Sequence, residues 1–312
     1  MSCSQGSRTN LAIAVQPSFA VKPADPVMQL IPITTHNLDL SKERVQGSDL
    51  LGDTIPRHDR HGTRKAGGQI VADLRKGDYD ILLESLFMSS FANDILKIGT
   101  TQKYLMIEDR ANDIDQFRLF TGLVAASMSL SIAPDASVQT TFEMVGRDME
   151  QNQTTASTGG SPTGPTNNEP FDTFSTLLDE DGDPLGIVTS LELSINRNIS
   201  PAFVVGSKVA HCLEFGRADV TGKMTVRYKD ETLINKFLNE EEMSLEFTLN
   251  DSTLDNGYTF TMPRIKYNGA SAPVTSPLGR FVTIPFVALR DTASATNVQV
   301  TRQAPTPPPN GD

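Results

Sequence analysis

The chain has no tryptophan, cysteine only at Cys3 and Cys212, and just 6% aromatic residues. Two cysteines cannot staple a disulfide framework or furnish a Cys-rich metal centre. No apolar run approaches the roughly 20 residues that a spanning helix needs. The opening segment, Met1 to Asn10, is polar and lacks the basic region and apolar stretch of a secretory leader, so the expectation is cytoplasmic synthesis with reduced thiols. Basic residues are the minority, 27 Lys and Arg against 38 Asp and Glu, for a formal net charge of −11. That balance argues against a protein that grips nucleic-acid phosphate, because such affinity comes from Lys and Arg. Nucleophile-elbow, phosphate-loop, dinucleotide and zinc-protease signatures are missing as well.

What the 312 residues do contain is internal order. Gln151–Asn168 consists, apart from Ala156, of Gln, Asn, Thr, Ser, Gly and Pro. Such a segment cannot offset its ordering entropy by burial and reads as an exposed or mobile linker. It divides the chain into 1–150 and 171–303 around a linker at 151–170, with a Pro-rich tail at 304–312. The halves share landmarks in the same order. Leu38-Asp39-Leu40-Ser41-Lys42-Glu43-Arg44 matches Leu191-Glu192-Leu193-Ser194-Ile195-Asn196-Arg197 as L-x-L-S-x-x-R. Gly68–Arg75 matches Gly222–Tyr228, Asp78–Phe87 matches Asp230–Phe237, and Phe142–Asp148 matches Phe286–Asp291.

Between the landmarks apolar and polar residues alternate, as in Ala126–Ile132, Lys223–Tyr228 and Met243–Leu249. That period belongs to strands with one buried and one wet face. Asp78–Phe87 and Asp230–Phe237 have helical spacing instead, with an Asp near each N-cap. The expected fold is therefore mainly β with short helices: two tandem β-sandwich or barrel domains, each with a flanking α-helix.

No catalytic, cofactor-binding or metal-binding residue is assigned. Leu178-Asp179-Glu180-Asp181-Gly182-Asp183-Pro184 opens like a calcium loop, but the Gly comes too early and Pro184 interrupts, so a hairpin turn is the reading. His58 and His61 share a polar loop without two further zinc ligands. His211-Cys212 lacks the setting of an activated thiol. Glu240-Glu241-Glu242 is a solvated corner or a face for a partner. Val45–Lys65 reads as a long polar loop with Arg57, Arg60, Arg64, Lys65, His58 and His61, suited to an acidic neighbour.

An acidic, duplicated, strand-rich chain without a reactive site points to an assembly component. Asn37–Ser41, the polar segment ending Arg57–Thr63, the unit Gly68–Phe87, the strands Lys103–Asp109 and Gln116–Gly122, Val220–Lys223 and Phe281–Asp291 together resemble the tail tube proteins of long-tailed bacteriophages. The resemblance covers about residues 15 to 300 and lies in order and spacing rather than in one motif. It implies a non-enzymatic virion subunit, without cofactor, that joins its sheets to neighbours around a lumen.

Simple members carry one tube domain and form hexameric rings. Two domains per chain imply homotrimeric, pseudo-sixfold rings stacked into a tube, with Val45–Lys65 and Asn198–Arg217 as contact loops. Further implied partners are the tape measure protein, the tail terminator and tip proteins, and DNA in transit during genome ejection. The resemblance implies assembly in the host cytoplasm without membrane insertion. The alternative is a surface adhesion or carbohydrate-binding protein with tandem β-domains, for which a leader and clustered aromatics are expected.

Overall fold

The computed structural model describes residues 3–47, 58–153, 156–157, 161–173, 177–185, 188–252, 257–274 and 279–303. A 3-10 turn at Gly6–Arg8 precedes β1 (Thr9–Gln16), β2 (Gln29–Ile31), β3 (Thr35–His36), β4 (Asp39–Gln46) and β5 (Asp59–Asp73). Helix α1 (Asp80–Phe87) follows, then β6 (Ile95–Lys97), β7 (Tyr104–Ala111), β8 (Gln116–Ile132), β9 (Gln139–Gly146) and β10 (Asp148–Gln153). Beyond it lie β11 (Leu177–Glu180), β12 (Asp183–Pro184), β13 (Val188–Asn196), β14 (Ile199–Ala202), β15 (Cys212–Phe215) and β16 (Asp219–Arg227). The last elements are α2 (Thr232–Leu238), β17 (Glu242–Asn250), β18 (Gly257–Tyr267), β19 (Phe281–Ala288) and β20 (Gln299–Arg302). The fold is mainly β, as expected, and its ladders are antiparallel.

The ladders follow one scheme in each half. In the first, β4 pairs with β5, β5 with β9, β9 with β8, β8 with β7, β7 with β1, and β10 returns to β8. In the second, β13 pairs with β16, β16 with β19, β19 with β18, β18 with β17, β17 with β11, and β20 returns to β18. Strict alternation drives the central strands: β9 buries Thr140, Phe142, Met144 and Gly146, and β19 buries Val282, Ile284, Phe286 and Ala288.

β8 departs from alternation and is buried almost continuously from Leu119 to Ala126. It serves two sheet layers. Its first part pairs with β7 and β10, its second with β9. Gly122, at φ 63°, marks the change of layer. A Cβ there would sit 2.7 Å from the Phe19 carbonyl oxygen and 2.9 Å from Arg147 Cβ, so only glycine fits.

The helices differ from the reading in detail. α1 buries Leu82, Leu83, Leu86 and Phe87, and its N-cap Tyr79 stands between Asp78 and Asp80 without a side-chain cap bond. Asp78 is buried and instead accepts the Thr166 N–H at 2.7 Å. α2 buries no residue, and Leu238 is 67% exposed. Asp230 accepts the Thr232 N–H at 3.0 Å, close to the capping role expected.

The Gln151–Asn168 segment is largely exposed over 161–168 but is tied to the first half. Thr163 bridges Met28 and Leu30 through backbone bonds of 2.9 and 2.8 Å, and Asn168 donates to the Lys76 carbonyl. Phe171, fully buried, bonds through its backbone to Leu74 and Val138 of the first half. Much of the expected polar loop Val45–Lys65 is strand: β4 runs to Gln46 and β5 starts at Asp59, as a hairpin with few buried side chains. Residues 48–57 lie outside the described set. Asn198–Arg217 likewise contains a hairpin, β14 with β15.

Candidate functional site: the seam between the halves and the open edges

The halves are joined by a β-ladder. β13 pairs with the second part of β8, from Leu191 opposite Ile132 to Asn196 opposite Ser127. Alternation in both strands puts Leu191, Leu193 and Ile195 on the same buried face as Met128, Leu130 and Ile132. One hydrophobic cluster consequently runs through both halves. A second crossing pairs β20 with β6, from Gln299 opposite Lys97 to Thr301 opposite Ile95.

Polar clamps reinforce the seam around α1. Asp80, in its first turn, accepts the Tyr258 hydroxyl and lies 2.6 Å from Arg302 Nη2. Tyr258 also accepts the Gly77 N–H at 2.8 Å, and the Arg302 guanidinium lies 3.6 Å from the Phe91 ring centroid. Burial pushes the Asp80 carboxyl above its ordinary range, against the Tyr258 hydrogen bond and the Arg302 charge. At the C-terminal end Arg197 is buried, with Nη2 2.7 Å from Met88 Sδ and 3.4 Å from the Gly99 carbonyl oxygen. Its Nε has no partner among the described residues, and burial lowers its pKa.

Several edges lack a strand partner among the described residues, those of β2, β6 and β10 included, and two of them occupy places that the internal ladder fills elsewhere. One is the side of β4 facing away from β5. There the Leu40 N–H donates to the Asp39 carboxylate of its own strand at 2.7 Å. The other is the segment 268–274, which continues β18 along β19 through a single bridge, Ser271 opposite Thr283. On its outer side the Ala272 carbonyl accepts from Arg280.

The residues weighed as chemical candidates are scattered. Asp181 and Gly182, at φ 53° and 86°, form the two-residue turn between β11 and β12, as the hairpin reading expects. His61 lies on β5 opposite Arg44, while His211 and Cys212 are exposed at the start of β15. His36 is half-buried, with Nε2 3.6 Å from Asp109, which also accepts Arg118 Nη2 at 2.6 Å. Burial lowers the His36 pKa, Asp109 opposes this, and Arg118 adds to it.

Glu242 is clamped by Arg264 through two bonds of 2.7 Å, whereas the Glu240 side chain is 83% exposed and lies 3.7 Å from Lys266 Nζ. No group of three or more metal-ligating side chains occurs among the described residues. No described helix is long and apolar enough to cross a membrane. The clamp residues Asp80, Tyr258 and Arg302 carried no signal in the sequence. Arg197 did, as the last residue of the repeated motif.

An extended antiparallel sheet that runs through both halves places the chain in the mainly β class. The family profile described as phage tail tube protein matches residues 6–288, and the chain belongs to that family. It is accordingly a structural component of a virion tail. Comparison with curated proteins gives no match.

Proposed function

We propose that the chain is a tail tube subunit with two tube domains, three chains closing a pseudo-sixfold ring and rings stacking into the conduit for genome delivery. The observation that carries this reading is the β8–β13 ladder, which joins two similarly laddered halves into one sheet. A head-to-tail contact of that kind leaves a donor edge at one end of the chain and an acceptor edge at the other. Repeating it closes a cyclic ring when the rotation fits. Two domains per chain then reach with three chains the circumference that single-domain relatives are expected to reach with six.

The tape measure protein occupies the lumen before DNA does, and terminator and tip proteins cap the two ends. The formal charge of −11 suits a conduit, since an acidic wall repels a duplex carrying a charge about every 1.7 Å and lets it slide. The β4–β5 hairpin, which carries Arg44, Arg60, Arg64 and Lys65, is the element best placed for contacts with acidic neighbours.

The test is cryo-EM of the purified protein, averaged without imposed sixfold symmetry. Three chains per ring, with both halves lining the lumen, is the expected result. Six chains per ring with the second half outside, or no rings at all, refutes it.

A further inference from the structure

We propose that β4 of one chain pairs antiparallel with residues 268–274 of a second copy, in the register Asp39 opposite Ser271, and that Lys42 meets Glu240 across this contact. The proposal rests on the ring reading above and adds the residues that would close the ring.

The internal seam is the template, and the ladders supply the equivalences. Thr141 lies between Val71 and Ser129, and Thr283 lies between Thr225 and Ser271. Ser271 thus holds in the second half the place of Ser129 in the first. Gly222 lies opposite Leu193, and a Cβ on Gly68 would touch the Cα of Leu38 at 2.8 Å. Leu38 therefore corresponds to Leu193, and Asp39 to Ser194. In the internal seam Ser129 faces Ser194. Transferred to the open edges, Ser271 faces Asp39, Ala270 faces Leu40 and Ala272 faces Leu38.

The backbone of each edge agrees independently with that register. In an antiparallel strand the N–H and C=O of one residue point to the same side, and successive residues alternate. Ser271 exchanges both of its bonds with Thr283, so Ala270 and Ala272 turn theirs outward. Just before β4 the Asn37 N–H donates to the Gln69 carbonyl of β5, and on β4 the Leu40 N–H is turned away from β5 onto the Asp39 carboxylate. Leu38 and Leu40 thus present their groups to the open side. The transferred register sets outward-facing Leu38 and Leu40 against outward-facing Ala272 and Ala270, as a ladder requires. A slip by one residue would break the match.

Side chains fit as well. Leu40, Ala270 and Ala272 already lie against the core as partly buried residues, and Val274 is 77% exposed in the single chain. The register covers this row on its apolar face. The helices repeat the relation. Met88 and Glu240 both follow their helix at positive φ, 52° and 53°, with matching cap bonds: Met88 to Ser85 and Ser89 to Glu84, Glu240 to Phe237 and Glu241 to Lys236. Arg197 contacts Met88 at the internal seam. Its counterpart on β4 by ladder register is Lys42, exposed and without an ion pair among the described residues. The counterpart of Met88 is Glu240. A cation on the incoming strand therefore meets a carboxylate at the contact between chains. α2, without a buried residue and with Leu238 exposed, is left bare where α1 is clamped by Arg197, Tyr258 and Arg302.

Disulfide trapping tests the register. Asp39 and Ser271 form a non-hydrogen-bonded pair, the closer type of antiparallel pair, within the reach of a disulfide. In a Cys3→Ser, Cys212→Ser background, Asp39→Cys mixed with Ser271→Cys should cross-link on oxidation. The double variant should give dimers and trimers on a non-reducing gel, and Ser41→Cys with Ser271→Cys should not. Lys42→Glu should suppress rings in negative stain, and Lys42→Glu with Glu240→Lys should restore them.

Wild-type rings together with trapping of the Ser41 pair, or of Asp39→Cys with itself, overturn the seam while the ring reading stands. Lys42→Glu assembling like wild type removes the ion pair from the proposal. Absence of rings from the wild-type protein overturns the ring reading itself.

Discussion

Arg280 donates to the backbone carbonyl of Ala272 through both Nε, at 3.1 Å, and Nη2, at 2.8 Å. The guanidinium also lies 4.5 Å from the Tyr228 ring centroid. This arginine occupies the carbonyl that an incoming strand needs, and a charged side chain on an exposed edge is a common guard against uncontrolled pairing. Arg280→Ala should lower the protein concentration at which assemblies form by several-fold, read by light scattering, while the melting temperature of the unassembled chain changes little. Slower assembly in the variant would count against the guard.

Arg302→Ala should destabilise the fold by about 2 kcal/mol, a figure reduced from that of a fully buried pair because both groups keep some contact with water. The substitution strands the Asp80 carboxylate beside the Tyr258 hydroxyl and strips the face of Phe91. Urea denaturation measures it. Restoration of most of the loss by Asp80→Asn in the same chain would identify the unpaired charge as the cause.

Arg197→Met should leave stability within about 1 kcal/mol of wild type or raise it, because a buried guanidinium facing a thioether gains little over a well-packed apolar side chain. Arg197→Ala, which opens a void, should cost more. The comparison separates a packing role from a charge role at the internal seam.

Gly68 sits at φ 144°, and an added Cβ would lie 2.6 Å from the Asn37 carbonyl oxygen. Gly68→Ala should therefore cost about 3 kcal/mol through strain and close contact. A wild-type urea midpoint would show that β3 and β4 can shift at no cost.

Acid should weaken the fold through His36. Its folded pKa lies below the unfolded value of about 6.5, so the unfolded chain binds the proton more readily. The contribution is fully present above about pH 6.5 and is lost as pH falls from there toward the folded pKa. His36→Gln should flatten the drop in stability between about pH 7 and 5 relative to wild type, measured by urea midpoints across that range.

The parts of the fold that show in the sequence are those with one wet face. β9, β17 and β19 alternate because each lies between core and solvent. β8 is longer than the reading of Gln116–Gly122 because it is buried on both faces near Gly122, and its alternation returns only over Ala126–Ile132. The end of β4 and the start of β5 read as loop because almost nothing on them is buried, and period 2 carries information only where burial distinguishes two faces. The motif match of Leu38 with Leu191 differs by two residues from the ladder equivalence of Leu38 with Leu193. A slip of two keeps every apolar residue on its own face, so composition alone does not resolve it. The clamps of Asp80 with Tyr258 and Arg302 join residues about 180 and 220 positions apart, with no local pattern to announce them.

β8 is an unbroken strand through Ile132, whereas its counterpart β18 stops at Tyr267 and the chain beyond it holds to β19 by the Asn268 N–H on Pro285 and the Ser271–Thr283 bridge. If the proposed seam forms, residues 268–274 complete their ladder only when another molecule lays down the template. Ordering that segment carries an entropic cost that the isolated chain has no ladder to repay. Spontaneous nucleation should then be slow and growth on an existing end fast. A kinetic trace of assembly would show a lag that seeds abolish, and the tail's length would be governed by where growth starts rather than by how much subunit is present.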